Sequence, residues 1–164
     1  MDPEIQSYAR ELSRTLEEFC VILNGLTDAQ LSWKPDTGEA NNACAITTHL
    51  VGSTRAYVLG LACGLKVSRD RDAEFSALCV SSQELISLVT RLSAEIEAAL
   101  GDLQSSTLGS RSTPPKELRG TGKPEEISHR DALAIALRHA GTHLGELRLT
   151  RDLAIALGVG SQRK

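Results

Sequence analysis

The chain has 164 residues, of which 41% are hydrophobic and 24% are charged. This length suits one domain with a hydrophobic core, so we expect residues 1–164 to form a single folded domain rather than a disordered segment. The net charge of -3 offers no basic surface for phosphate backbones, which argues against nucleic acid as a partner.

The start of the chain, Met1-Asp2-Pro3-Glu4, lacks the basic and apolar regions of a signal peptide. The longest apolar run, Ala56 to Leu65, is too short to cross a bilayer, so we expect no membrane partner and a cytoplasmic location. The four cysteines are scattered without a Cys-x-x-Cys pair, a pattern that predicts reduced, buried thiols at Cys20, Cys44, Cys63 and Cys79.

Hydrophobic periodicity predicts a first helix that Asp2 caps and that continues as far as Gly25. A short helical turn between Thr27 and Leu31 and a loop follow. Asn42 then caps a second helix, which runs from about Ala43 to Leu65.

His49 lies beside the apolar stripe of this second helix. A single histidine at the edge of a core is usually structural, so its role depends on whether other ligands lie nearby. Residues 67–73 are charged and read as a connection, while Phe75 and Leu78 fit a short helical preface to the next helix.

The third helix begins after Ser81, which has capping-box spacing with Glu84, and extends from about Ser82 to Leu103. Residues 104–127 are rich in Ser, Thr, Gly and Pro and form a long connection, either mobile or part of a ligand mouth. No strand alternation is found anywhere. Four helices with one apolar stripe each predict an all-α four-helix bundle.

The fourth helix, Ser128 to Gly158, carries the residues with the clearest chemical meaning. His139 and His143 are one turn apart, so their side chains share one face and could hold one metal ion. The pair lies beside the apolar stripe of this helix, and His49 is the natural third ligand from the facing helix. The alternative is that the three histidines only pack.

Other metal motifs do not fit. A zincin protease needs Glu directly after the first histidine, where this chain has Ala140. A ferritin-like di-iron centre needs two Glu-x-x-His units, whereas only Glu126 with His129 has that spacing. His129 is roughly 15 Å along the helix from His139 and too far away to share its ion.

Glu146 lies one turn beyond His143 on the same helix. It could orient a metal ligand or accept a proton, or be a plain surface carboxylate. Three neutral imidazoles leave an ion its positive charge and an exchangeable position, as in catalytic rather than structural zinc sites.

These features together resemble the DinB/YfiT superfamily of four-helix-bundle metalloproteins. The resemblance covers nearly the whole chain and is carried by Leu26-Thr27, by Trp33-Lys34-Pro35, by Asn42 opening the helix of His49, and by His139-x-x-x-His143-x-Gly145. This chain departs from many members by having Glu146 where Gln is common and by the scarcity of aromatic residues around His49.

The resemblance implies that His49, His139 and His143 hold a divalent metal such as zinc or nickel, with the remaining positions open to water, in a homodimer. Some relatives are S-transferases or isomerases that use bacillithiol, mycothiol or glutathione. The leading hypothesis is therefore a metal-dependent enzyme that transfers a low-molecular-weight thiol to a small-molecule electrophile. The alternatives are a stress-related metal- or ligand-binding dimer without turnover and a metal-dependent hydrolase.

Overall fold

The computed structural model describes residues 2–38, 40–79, 81–119 and 123–161, and these residues are mostly helical. Four long helical stretches are joined by shorter elements. In chain order the α-helices are α1 (Pro3–Leu23), α2 (Asp28–Ser32), α3 (Ala43–Thr54), α4 (Arg71–Ser76), α5 (Ser82–Asp102), α6 (Lys116–Arg119) and α7 (His129–Ala156), with a π-helical segment (Arg55–Ala62) directly after α3 and a 3₁₀ turn (Ser105–Thr107) after α5.

The long helices pack as a bundle, which confirms the predicted all-α fold. Helix α1 packs against α5 and α7, and α3 with its π-helical continuation packs against α7 and α5. Their apolar faces meet in one core, whose largest fully buried side chains include Phe19, Leu50, Leu92 and Ile96. Burying these faces against one another stabilises the fold, since no single amphipathic helix can shield its own apolar stripe.

The predicted helix starts are also confirmed. The side chain of Asn42 accepts a hydrogen bond from the backbone N–H of Ala45 at 2.8 Å, which fixes where α3 begins. At the start of α7, Ser128 and Asp131 form a reciprocal capping box. The second predicted helix ends earlier than expected, because Gly64 follows the π-helical segment with a φ of 68°.

Two connections contain more structure than the sequence indicated. Residues 67–73 are not wholly a connection, because the Asp70 side chain caps α4 by accepting a hydrogen bond from the N–H of Ala73. Phe75 lies in α4, but Leu78 lies beyond it and is 96% exposed.

The long connection contains two short strands, β1 (Arg111–Ser112) and β2 (Ile127–Ser128). They pair antiparallel, with Arg111 opposite Ser128. The expectation of no strand is therefore wrong here, since a bridge this short leaves no alternating pattern to read. The part of this connection at residues 120–122 lies outside the described residues.

The prediction of four reduced cysteines is wrong for two of them. Cys44 on α3 and Cys79 after α4 form a disulfide that joins residues 35 apart in sequence, with their Cα atoms 5.8 Å apart. Two cysteines this far apart carry no spacing signal, because only the fold brings them together. Cys20 and Cys63 are free thiols and are half-buried. None of the described helices has the length and apolar character needed to cross a membrane.

Candidate metal centre

The three predicted metal ligands converge at one point between α3 and α7. Their candidate ligand atoms all lie within 4.8 Å of one another, and Nε2 of His139 is 3.2 Å from Nε2 of His49. Helices α3 and α7 pack together, and the small side chains of Ala136 and Ala140, one turn apart on α7, are buried. The packing of α3 on α7 thus places His49 of α3 beside His139 and His143 of α7.

His49 is the most enclosed of the three, with its side chain 7% exposed. Its Nδ1 lies 2.8 Å from Oε2 of Glu74, and Arg69 donates hydrogen bonds to both oxygens of that carboxylate at 2.7 and 2.9 Å. The imidazole also packs against the ring of Phe75, with the ring centroids 4.5 Å apart. Burial works to raise the pKa of Glu74, but hydrogen bonds from Arg69 and His49 hold it below its ordinary value.

His143 is oriented in a similar way by a carboxylate on its own helix. Its Nδ1 lies 2.7 Å from Oε2 of Glu146, and the side chain of Asn41 donates a longer hydrogen bond of 3.4 Å to Oε1. The hydrogen bond with His143 lowers the pKa of Glu146. Glu146 is therefore an ionised acceptor that holds the Nδ1 proton of His143 and directs Nε2 towards the other two rings.

His139 completes the cluster and is held neutral by its surroundings. Burial lowers the pKa of His139 to about 4, and the electrostatic influence of the neighbouring His143 and His49 acts in the same direction. A neutral imidazole has a free nitrogen lone pair at neutral pH, which is the form that binds a metal ion.

These residues fit a divalent metal ion. A tetrahedral ion with bonds of about 2.0–2.1 Å places its ligand nitrogens roughly 3.3–3.4 Å apart, close to the 3.2 Å between His49 and His139. His139 and His143 are only partly buried, so the α7 side of the cluster is accessible to solvent.

A large cavity lies elsewhere in the described part of the chain. It has a volume of about 730 Å³ and is lined by Cys63, Leu103 and His129, among others. His129 begins α7, so this cavity is roughly 15 Å along the helix from His139. As predicted from the spacing, His129 does not join the cluster, and this cavity is not lined by the three clustered histidines.

Glu74 and Arg69 were missed by reasoning from the sequence. Arg69 lies in the charged stretch of residues 67–73, which reads as a connection, and Glu74 lies directly after it. The spacing of Asp70 before Ala73 is a helix start signal that could have identified α4. No sequence signal shows that a carboxylate of this short helix is buried against His49.

The fold and the cluster define a class: four-helix-bundle proteins with a three-histidine candidate metal centre between two of the helices. A sequence model described as the DinB superfamily matches residues 11–147, so the chain belongs to the DinB superfamily, as its resemblance suggested.

Solved structures share the fold. A DinB-like protein from Bacillus cereus is 15% identical, with a TM-score of 0.69 over 97% of this chain and 96% of that one. A conserved protein from Enterococcus faecalis is 17% identical, with a TM-score of 0.67 over 95% of this chain and 99% of that one. No curated protein matches the chain significantly.

Proposed function

We propose that the protein binds a divalent metal ion, zinc or nickel, through His49, His139 and His143, and that it is a metal-dependent enzyme of the thiol-dependent S-transferase type. The observation that carries the proposal is the convergence of three imidazoles from two helices, with the Nδ1 atoms of two of them engaged by Glu74 and Glu146. This arrangement leaves the Nε2 lone pairs to face a shared point.

The set of ligands suits catalysis better than a structural role. Three neutral imidazoles leave the ion its full charge, and three protein ligands leave a position for an exchangeable molecule. When bound, the ion would supply Lewis acidity that lowers the pKa of a coordinated thiol or water. In the proposed transfer, the thiol sulfur bonds to an electrophilic carbon, the leaving group departs with its bonding electrons and the thiol proton passes to solvent.

Glu146 has a positioning role in this proposal rather than that of a general base. Its lowered pKa makes the carboxylate a weak proton acceptor, and one of its oxygens is already occupied by Nδ1 of His143. Its contribution is to hold the imidazole of His143 in one orientation.

Activity assays on matched variants test the enzymatic part of the proposal. The protein, loaded with zinc or nickel, is assayed for conjugation of monobromobimane with bacillithiol, mycothiol and glutathione. We expect thiol-dependent turnover above the uncatalysed rate, lost in His139→Ala and retained in Arg130→Gln, which alters only an exposed ion pair with Glu4. Equal rates for the wild type and His139→Ala with every thiol would contradict it.

A second candidate is a stress-related ligand-binding protein without turnover, which the position of the cavity lined by Cys63, Leu103 and His129 favours. That cavity lies at the start of α7, away from the three-histidine cluster, and its walls are mainly apolar. A binding protein would take up metal with normal affinity but give no product with any thiol. Hydrolysis of activated esters without added thiol would favour the third candidate, a metal-dependent hydrolase.

We also propose that the protein is a homodimer. At the end of α7, Leu149 and Leu153 are exposed one turn apart, and Leu157, directly after the helix, is exposed as well. Such a row is typical of a contact surface. Light scattering tests this: we expect a dimer for the wild type and a monomer for Leu149→Glu/Leu153→Glu. A wild-type protein that is monomeric at a protein concentration on the order of tens of micromolar would rule out a stable dimer.

A further inference from the structure

A buried ion pair lies directly behind His49, on the side away from the other two histidines. Arg69 and Glu74 meet through two parallel hydrogen bonds of 2.7 and 2.9 Å, and their side chains are only 4% and 9% exposed. A bidentate pair of this kind has a defined geometry as well as charge complementarity. Oε2 of Glu74, which accepts the 2.9 Å hydrogen bond from Arg69, also lies 2.8 Å from Nδ1 of His49.

The segment that carries Glu74 is anchored on α3 at several points. Thr48 donates a hydrogen bond of 2.6 Å to the backbone carbonyl of Glu74, and the Cys44–Cys79 disulfide joins the same helix to the residues after α4. Arg69 in turn donates to the carbonyl of Leu118 at 3.1 Å, which ties it to the long connection. The carboxylate is therefore held in place before any ligand binds.

This arrangement fixes the position of the proton on His49. An ionised carboxylate can only accept a hydrogen bond, so the nitrogen facing Glu74 must carry the proton. Nδ1 is thus the donor, and Nε2 keeps its lone pair directed at His139. Without Glu74 the imidazole would be free to place its proton on Nε2, where it would block a metal ion.

The pair also controls charge near the cluster. Nη2 of Arg69 lies 3.4 Å from Nδ1 of His49, so an unpaired guanidinium here would repel a cation bound to that ring. Glu74 compensates this charge at hydrogen-bonding distance. Losing Glu74 therefore removes a hydrogen bond and exposes the cluster to a buried positive charge.

The space for this carboxylate exists because residue 52 is glycine. A Cβ added at Gly52 on α3 would overlap Oε1 and Cδ of Glu74. The carboxylate cannot simply swing away, since both of its oxygens are held by Arg69 and one also by His49. An alanine at position 52 would displace the carboxylate while leaving every charge unchanged.

We propose that Arg69 and Glu74 act as a buried clamp that sets the tautomer of His49 and so determines the metal affinity of the three-histidine cluster. The inference rests on the proposed metal-binding function and assigns positioning roles to residues that do not face the shared point. It also gives a role to Gly52, whose missing side chain leaves room for the clamp.

The tautomer is measured first, on metal-free protein. Long-range ¹H–¹⁵N correlation spectra of the imidazoles should show His49 in the wild type with its proton on Nδ1. In Glu74→Gln and in Gly52→Ala we expect a mixture of tautomers. Gly101→Ala on α5 is the matched control, because a Cβ there meets no neighbouring atoms, and it should leave the spectrum of His49 unchanged.

Zinc affinity is measured next, by competition with a chromophoric chelator. Residues that orient a metal ligand typically contribute 10–100-fold to affinity, so we expect losses of about that size in Glu74→Gln and Gly52→Ala. Glu4→Gln, which disrupts an exposed ion pair between α1 and α7, and Gly101→Ala should match the wild type. Circular dichroism verifies that each variant is folded, and Glu74→Gln preserves side-chain size if Gly52→Ala does not fold.

The results distinguish a failure of the proposed metal centre from a failure of the proposed clamp. If His49→Ala binds zinc as tightly as the wild type, the proposed metal centre itself is wrong. If His49→Ala loses zinc but folded Glu74→Gln keeps both wild-type affinity and a single Nδ1–H tautomer, the clamp is overturned and the metal centre stands. Because the tautomer is read without metal, a mixture confined to the Glu74 and Gly52 variants supports the clamp independently.

Discussion

Nε2 of His139 lies 3.2 Å from Nε2 of His49, although 90 residues separate them in the chain. Glu74 engages the other nitrogen of His49, so the Nε2 of His49 carries a lone pair. Two lone pairs at this distance repel each other unless a proton or a metal ion lies between them. The contact is therefore either a hydrogen bond donated by Nε2 of His139 or one edge of a metal site. In a metal site His139 carries its proton on Nδ1 instead, so that Nε2 can bind the ion.

Removing the carboxylate at position 146 should weaken metal binding without unfolding the bundle. Glu146→Ala loses the 2.7 Å contact that orients His143, and we expect about 10–100-fold weaker zinc binding, measured by chelator competition. Asp152→Asn is the control, since Asp152 is further along α7 and contacts Arg151 instead. Unchanged affinity in Glu146→Ala would show that Glu146 is only a surface carboxylate.

The Cys44–Cys79 disulfide should contribute measurably to stability. It closes a loop with a sequence separation of 35, and a cross-link of this kind typically stabilises by about 2–4 kcal/mol. We expect Cys44→Ser/Cys79→Ser to lower the free energy of unfolding in urea by that amount, whereas Cys20→Ser should change it little. Free thiols at both positions in alkylated, non-reduced protein would show instead that the bond does not form.

The free thiol of Cys63 should react slowly with alkylating agents. Burial raises its pKa to about 11, so the thiolate that reacts is scarce at neutral pH. At pH 8 we expect iodoacetamide to modify Cys63 roughly 100-fold more slowly than N-acetylcysteine, with the rate rising until the pH approaches 11. Peptide mapping by mass spectrometry distinguishes Cys63 from Cys20. A plateau in the rate below pH 9 would mean that the thiol is not shielded as the structure indicates.

The start of α7 should depend on Ser128. Its hydroxyl accepts a hydrogen bond of 3.0 Å from the N–H of Asp131, and removing such a cap costs about 0.5–2 kcal/mol. We expect Ser128→Ala to lower stability by this amount in urea denaturation. Ser87→Ala is the matched control because that exposed hydroxyl only bonds a carbonyl of its own helix. Equal effects of the two substitutions would rule out a special role for the cap.

The same cap predicts a dependence on pH. Hydrogen bonds from the backbone and hydroxyl of Ser128 hold the pKa of Asp131 below its ordinary value of 3.8. The Asp131 carboxylate therefore binds a proton less readily in the folded protein than in the unfolded chain. Its contribution to stability is complete above the ordinary pKa of 3.8 and is lost as the pH falls through the lower pKa of the folded state. Asp131→Asn should abolish this part of the acid dependence, and an unaltered acid profile would contradict the assignment.

Much of the architecture could be read from local patterns. The apolar stripe and the Asn42 cap located α3, and the one-turn spacing of His139 and His143 placed both on one face of α7. These features are local, because a helix fixes the relation between residues one turn apart. The meeting of His49 with the pair followed from the expectation that two amphipathic helices pack through their apolar faces.

The features that were missed are those that depend on tertiary contacts. Glu74 is an ordinary acidic residue in a charged stretch, and only the approach of α4 to α3 makes it a buried partner of His49. The Cys44–Cys79 disulfide depends on that same approach. Since α4 has only six residues, too few to show a hydrophobic period, the sequence gives little warning of either.

X-ray absorption at the metal edge of zinc- or nickel-loaded protein tests the central claim most directly. We expect the ion to be bound by three imidazole nitrogens at about 2.0–2.1 Å, with light-atom ligands in the remaining positions. The imidazole signal should be lost in the His49→Ala/His139→Ala/His143→Ala variant. A first shell containing sulfur from the protein, or an unchanged imidazole signal in that triple variant, would contradict it.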